Sequence, residues 1–105
     1  MILTTTATIQ GKEVTEYIGV ITAENVLGIN FVKDIFGGFT DFFGGRSNTY
    51  EAEIKKARDL ALQELEVKAK EVGADAVLGV DFDFEVIGSK GTMLMVHVSG
   101  TAVKF

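Results

Sequence analysis

His97 is the only imidazole in the chain, and three carboxylates, Asp81, Asp83 and Glu85, recur at alternate positions shortly before it. The carboxylates alternate with Val80, Phe82, Phe84 and Val86, while Met93, Met95, His97, Ser99 and Thr101 alternate with Leu94, Val96, Val98, Gly100 and Ala102. Period-two alternation places each set on one face of a strand. Gly88-Ser89-Lys90-Gly91 joins the two segments and reads as a hairpin loop. Because a one-residue slip would invert one strand, matching the apolar faces leaves two registers. One sets Asp83 opposite His97 and Glu85 opposite Met95; the other sets Asp81 opposite His97 and Asp83 opposite Met95. Either way the imidazole faces a carboxylate. Imidazole and carboxylate together suit a borderline divalent metal, and the thioethers add affinity for a soft one. Asp81, Asp83, Glu85 and His97 are therefore a candidate divalent-metal site. The plainer reading is a solvated acidic face with a cross-strand His–Asp pair worth about 0.2–1 kcal/mol.

A second candidate is Gly44-Gly45-Arg46-Ser47, just before the long predicted helix. Free backbone N–H groups and the positive end of the helix dipole converge at such a start, and an arginine there can bind a carboxylate or phosphate through two hydrogen bonds. An anion or phosphometabolite site over Gly44 to Asn48 is the corresponding expectation. The segment is not a Walker A loop, which needs glycine where Thr40 stands and lysine where Arg46 stands. Its plainer reading is a tight corner, with Arg46 paired to an acidic residue of this or a neighbouring subunit. Catalysis is not expected. The chain has no cysteine, and Ser47, Ser89 and Ser99 lie in no nucleophile elbow.

The elements that must position these residues follow from pattern. Ile2–Ile9 is β-branched and threonine-rich and reads as a strand. Gln10 to Lys12 reads as a turn. Glu13–Leu27 reads as an interior strand, apolar on both faces around Tyr17 to Ile21, with a bend at Glu24-Asn25. Phenylalanines between Phe31 and Phe43 recur at helical spacing around Gly37-Gly38, which predicts a short or broken helix. Thr49–Val72 is the long helix, capped by Ser47 or Asn48 and stopped at Gly73. Its buried stripe is Ile54, Ala57, Ala61, Leu65, Ala69 and Val72. Glu64 with Lys68 and Glu66 with Lys70 form i,i+4 pairs. Ala74–Ile87 and Thr92–Lys104 are the two strands of the hairpin, and Ala76 and Leu78 continue the apolar face of Val80 to Val86.

Composition narrows the classes. With 105 residues the chain is one domain, and 47% apolar with 24% charged residues is ordinary for a globular protein. A net charge of −5 argues against a nucleic-acid partner. The start, MILTTTATIQ, has no basic region before an apolar run, and no stretch reaches the roughly 20 apolar residues needed to span a bilayer. A cytoplasmic protein with no membrane partner is expected. A 24-residue helix is about 36 Å long, whereas a globule of this size has a radius of gyration near ~13 Å. Leu60 and Val67 also sit off the buried stripe. Elements this long predict a homo-oligomer, with Leu60, Val67, Met93 and Met95 as candidate interface residues.

Several blocks together resemble the YbjQ-like family: Thr4-Thr5-Thr6, Tyr17 to Ile21, Gly44-Gly45-Arg46-Ser47 with Tyr50-Glu51, Ala57-Arg58, Ala61 and Leu65, and Gly73-Ala74-Asp75-Ala76-Val77-Leu78-Gly79-Val80. The resemblance spans residues 1–105 as a single domain. It implies an α+β subunit of two layers, an antiparallel sheet with one long helix on one face, similar to dodecin. It also implies a ring-forming homo-oligomer, a pentamer, in which extra short strands help assembly. The family is described as heavy-metal-binding, which implies a divalent metal as cofactor. The dodecin-like architecture suggests a flavin, but no tryptophan is present to stack on one. Residues and resemblance together predict a binding or scaffold protein without catalysis.

Overall fold

The computed structural model describes residues 1–27, 48–88 and 93–105. Four strands and one helix are found there: β1 (Ile2–Leu3), β2 (Glu16–Leu27), α1 (Asn48–Glu71), β3 (Ala76–Ile87) and β4 (Met93–Lys104). The expected broken helix at Phe31–Phe43, the caps at Ser47 or Asn48, and the tip of the hairpin loop lie outside the described residues and side chains.

The sheet has the order β1-β3-β4-β2. β4 lies between β3 and β2 and is antiparallel to both. β1 pairs with β3 in parallel, so the sheet is mixed where a purely antiparallel one was expected. The expected strand over Ile2–Ile9 stops at Leu3 because threonine hydroxyls offer the backbone other partners. The Thr6 N–H donates to Thr4 Oγ1 at 3.2 Å, and Thr6 Oγ1 donates to the Thr8 carbonyl at 2.6 Å. The turn at Gln10 to Lys12 forms as expected, with Lys12 N–H donating to the Ile9 carbonyl at 3.1 Å.

α1 forms over the predicted span to within a residue. Gly73, at φ 77°, ends it in a Schellman motif. Its N–H donates to the Lys70 carbonyl at 3.0 Å, and the Ala74 N–H to the Ala69 carbonyl at 2.9 Å. Glu64–Lys68 and Glu66–Lys70 are present at 3.9 Å each. Ala57, Ala61, Leu65 and Ala69 are buried against Ala23, Val77, Val80, Val96 and Val98. Val72 leaves the predicted stripe: it follows the end of the helix at Glu71 and is exposed, and Ala69 is the last buried residue of the stripe.

Two bulges break strand alternation. Between the Leu78–Thr101 and Asp81–Ser99 pairs, β3 spends two residues, Gly79 and Val80, against Gly100 of β4. Gly79 takes φ 61°, as a glycine bulge requires. The extra residue inverts the faces, which corrects the expectation of one apolar row from Ala76 to Val86. Ala76 and Leu78 turn away from the helix and join Val103 beneath Ile9, Val14 and Phe105. Val77 and Val80 stay on the helix side. On β2 the extra residue is Ile18, beside Gly19 at φ 143°.

Among the described strands β2 lies at the edge of the sheet and not in its interior, and Val20 is 76% exposed. Its apolar residues on both faces reflect the bulge and an uncovered sheet face. It runs without the expected bend, pairing Glu24 with His97 and Asn25 with Val96. Lys68 reaches over from α1 and donates from Nζ to the Thr22 carbonyl at 2.6 Å.

The bulge gives a paired prediction. A methyl group at position 79 has open space, so Gly79→Ala costs only the left-handed backbone strain, about 1–2 kcal/mol. A methyl at position 100 would overlap Val77 Cγ1 and lie 3.3 Å from the Leu78 carbonyl oxygen. Gly100→Ala should therefore cost more, toward the upper end of the ~1–3 kcal/mol seen for overpacking. Urea unfolding midpoints of the two variants check the order.

Candidate functional site

The face of the sheet away from α1 carries the predicted site residues. Of the two registers open from sequence, the structure takes the one with Asp83 opposite His97 and Glu85 opposite Met95. β2 then completes each row across β4. Asp81, Ser99 and Thr22 form one row; Asp83, His97 and Glu24 the next; Glu85, Met95 and Val26 the third. His97 thus lies between carboxylates on both neighbouring strands. Its Nε2 is 3.4 Å from Glu24 Oε1. Asp81, Asp83 and Glu85 are exposed, while Met93, Met95, His97 and Ser99 are half-buried.

Glu24 is the residue that sequence reasoning missed. It lies 73 positions before His97, on a strand whose register is set only by pairing with β4. Its only signal in the sequence is the polar interruption Glu24-Asn25 of an otherwise apolar strand, which is equally the mark of a bend.

The N-terminal half of this face is closed. Residues from Ile9 to Val14 cross it, and the Phe105 N–H donates to Asp75 Oδ2 at 2.9 Å. Among the described residues, nothing comparable crosses the acidic half around His97. On the other side of the sheet, a recess of about 390 Å³ lies between β1 and α1. Met1, Leu3, Asp59, Leu62, Gln63 and Glu66 line it, and the N-terminal ammonium sits 3.9 Å from Glu66 Oε1.

The other predicted residues are placed as follows. Leu60 and Val67 are exposed on α1. Gly44, Gly45, Arg46 and Ser47 lie outside the described residues. Among the described residues, no helix is long and apolar enough to cross a membrane.

The YbjQ family model, described as "putative heavy-metal-binding", matches residues 1–105. The chain belongs to the YbjQ family. A crystal structure of a protein of unknown function from Pediococcus pentosaceus, assigned to the DUF74 family, superposes with a TM-score of 0.69. It is 23% identical, and the match covers 100% of this chain and 97% of that one. That likeness carries the fold.

The heavy-metal description of the YbjQ family can be tested against the donors present. Soft metals favour thiolates, and the chain has no cysteine. Among the described residues, no three His, Asp or Glu side chains are grouped to hold an ion. The sequence expectation of four ligands is thus reduced to one close pair, Glu24–His97, with Asp81, Asp83 and Glu85 spread along an exposed strand. These residues do not fit a dedicated heavy-metal site. Calorimetric titration with Zn²⁺ or Cd²⁺ should show no binding near the ~10 kcal/mol of a structural zinc site. Any weaker signal should disappear in His97→Ala; a tight site that survives this change would place the ligands elsewhere.

Proposed function

We propose that this YbjQ-family protein is a homo-oligomeric binding or scaffold protein with no catalysis of its own. The supporting observation is its shape. The described chain measures 53 × 27 × 16 Å with a radius of gyration of 16.8 Å. A compact chain of this length has a value near ~13 Å. A slab only two layers deep cannot bury the apolar residues on its outer surfaces. Val20 and Val26 remain exposed on the sheet face away from α1, where Met93 and Met95 are half-buried, and Leu60 and Val67 remain exposed on α1.

Neighbouring copies would cover these residues. A cyclic arrangement suits an asymmetric slab, because a heterologous contact either closes into a ring or propagates into a filament. A ring of five is the arrangement that the family resemblance implies, and it forms part of this proposal. The absence of catalysis is also a proposal. It rests on His97 being paired with the Glu24 carboxylate across the sheet face, with Ser99 beside it on the same strand.

A divalent-metal reading has one observation in its favour, the convergence of Glu24 and His97 at 3.4 Å. In a ring the pair would recur once per subunit, and a second subunit would have to supply the missing ligands.

Charge placed on the outer surfaces tests the assembly. Light scattering after size exclusion should give the wild type a multiple of the 11.3 kDa chain mass. Leu60→Lys with Val67→Lys, or Val20→Lys with Val26→Lys, should shift it toward the single-chain mass while helical circular dichroism is retained. If neither pair changes the mass, these faces are not the contacts.

A further inference from the structure

Among the described strands, the outer edge of β3 is paired over only part of its length. β1 pairs only with Ala76 and Val77, and the last main-chain bond it reaches is from the Val80 N–H to the Thr4 carbonyl at 2.9 Å. From Asp81 to Ile87, no described strand lies on the outer side of β3. An open edge presents a row of unpaired N–H and C=O groups that can template another strand.

The two faces of this edge differ sharply. On the helix side, α1 lies mainly over β2 and β4 and touches β3 least. Phe84 and Val86 are each left 50% exposed there, although their cross-strand partners Val96 and Leu94 are buried or half-buried. On the opposite face Asp81, Asp83 and Glu85 are exposed; their partners on β4 are Ser99, His97 and Met95, so no lysine or arginine lies opposite them there, and the one imidazole is shared with Glu24.

We propose that the Asp81–Ile87 edge is a docking site for an extended peptide in which apolar and basic residues alternate. Strand addition fixes the chemistry of the guest. Its main chain takes up the free ladder groups, and its side chains alternate between faces in step with β3. Those on the helix side meet Phe84 and Val86; those on the other side meet the three carboxylates. Only an apolar–cationic alternation satisfies both rows, since like charges directly opposite repel. The acidic row also disfavours a second β3 at this edge, because antiparallel pairing of two copies would set carboxylates near carboxylates. The other long edge, β2, is guarded differently, by Lys68 on the Thr22 carbonyl.

This inference rests on the binding-protein reading and names a partner class for it. It does not require the assembly, so the two can fail separately. The test uses the full chain and two fluorescein-labelled peptides of alternating sequence, valine–lysine and valine–glutamate, followed by fluorescence anisotropy. The valine–lysine peptide should bind at least about tenfold more tightly, given several facing charge pairs. Its affinity should fall as salt is raised. Asp81→Lys/Asp83→Lys/Glu85→Lys, checked for native circular dichroism, should reverse the preference. In hydrogen exchange, alternate amides of Asp81 to Ile87 should be unprotected in the free protein and protected with peptide. Equal binding of both peptides, no binding, or a preference unmoved by the triple variant would overturn the proposal. Protection of those amides in the free protein would also overturn it, by showing the edge already occupied by another copy.

Discussion

Ala57, Ala61 and Ala69 give α1 a flat flank, and Leu65 is its one large side chain buried to completion. Ala23 on β2 and Val96 and Val98 on β4 form the floor beneath it. Small residues on both surfaces let the helix backbone come close to the sheet. That close seat fixes the helix over β2 and β4, and Lys68 clamps the same side through the Thr22 carbonyl. A single helix is only about 10 Å wide with its side chains, so a seat over two strands leaves the third uncovered. The exposed flank of β3 is thus a consequence of how the one strong contact is made. Leu62 and Leu3 extend the core toward β3 but end at Phe82.

The two bulges divide what would otherwise be one face-to-face core. Gly79 and Gly100 stand opposite each other, one turning the chain through a left-handed conformation and the other leaving room for Val77. The result is a second small cluster of Ala76, Leu78 and Val103 on the far side of the sheet, sealed by Ile9, Val14 and Phe105. The segment between β1 and β2 covers that cluster, near one end of the face. Toward the other end of the same face His97 stands between Asp83 and Glu24, next to the row of Glu85, Met95 and Val26.

What could be read from the sequence was what local pattern determines. The helix from Thr49, its stop at Gly73, its i,i+4 pairs and the hairpin of β3 with β4 all depend on near neighbours along the chain, and all are found. The Asp83–His97 register was one of two that alternation allowed. What escaped depends on contacts between distant segments. A bulge at Gly79 looks like ordinary alternation until the strand is paired with Gly100. Parallel pairing of Ile2 with Ala76 is invisible in a run of β-branched residues. Glu24 joins His97 only because β2 is the neighbour of β4. The candidate site was therefore half legible: the hairpin side was, and the β2 side was not.

Membership of the YbjQ family and the fold agree with the physical reading of the chain, whereas the heavy-metal description finds few suitable donors among the described residues. The proposal of assembly rests on the surfaces instead: the slab is 16 Å thin and has exposed valines on both sides. Small-angle X-ray scattering of the wild-type protein at micromolar concentration tests that directly. Assembly predicts a forward scattering equal to several chains of 11.3 kDa and a radius of gyration well above the 16.8 Å of one protomer. A single-chain mass with a radius of gyration of 16.8 Å would contradict it.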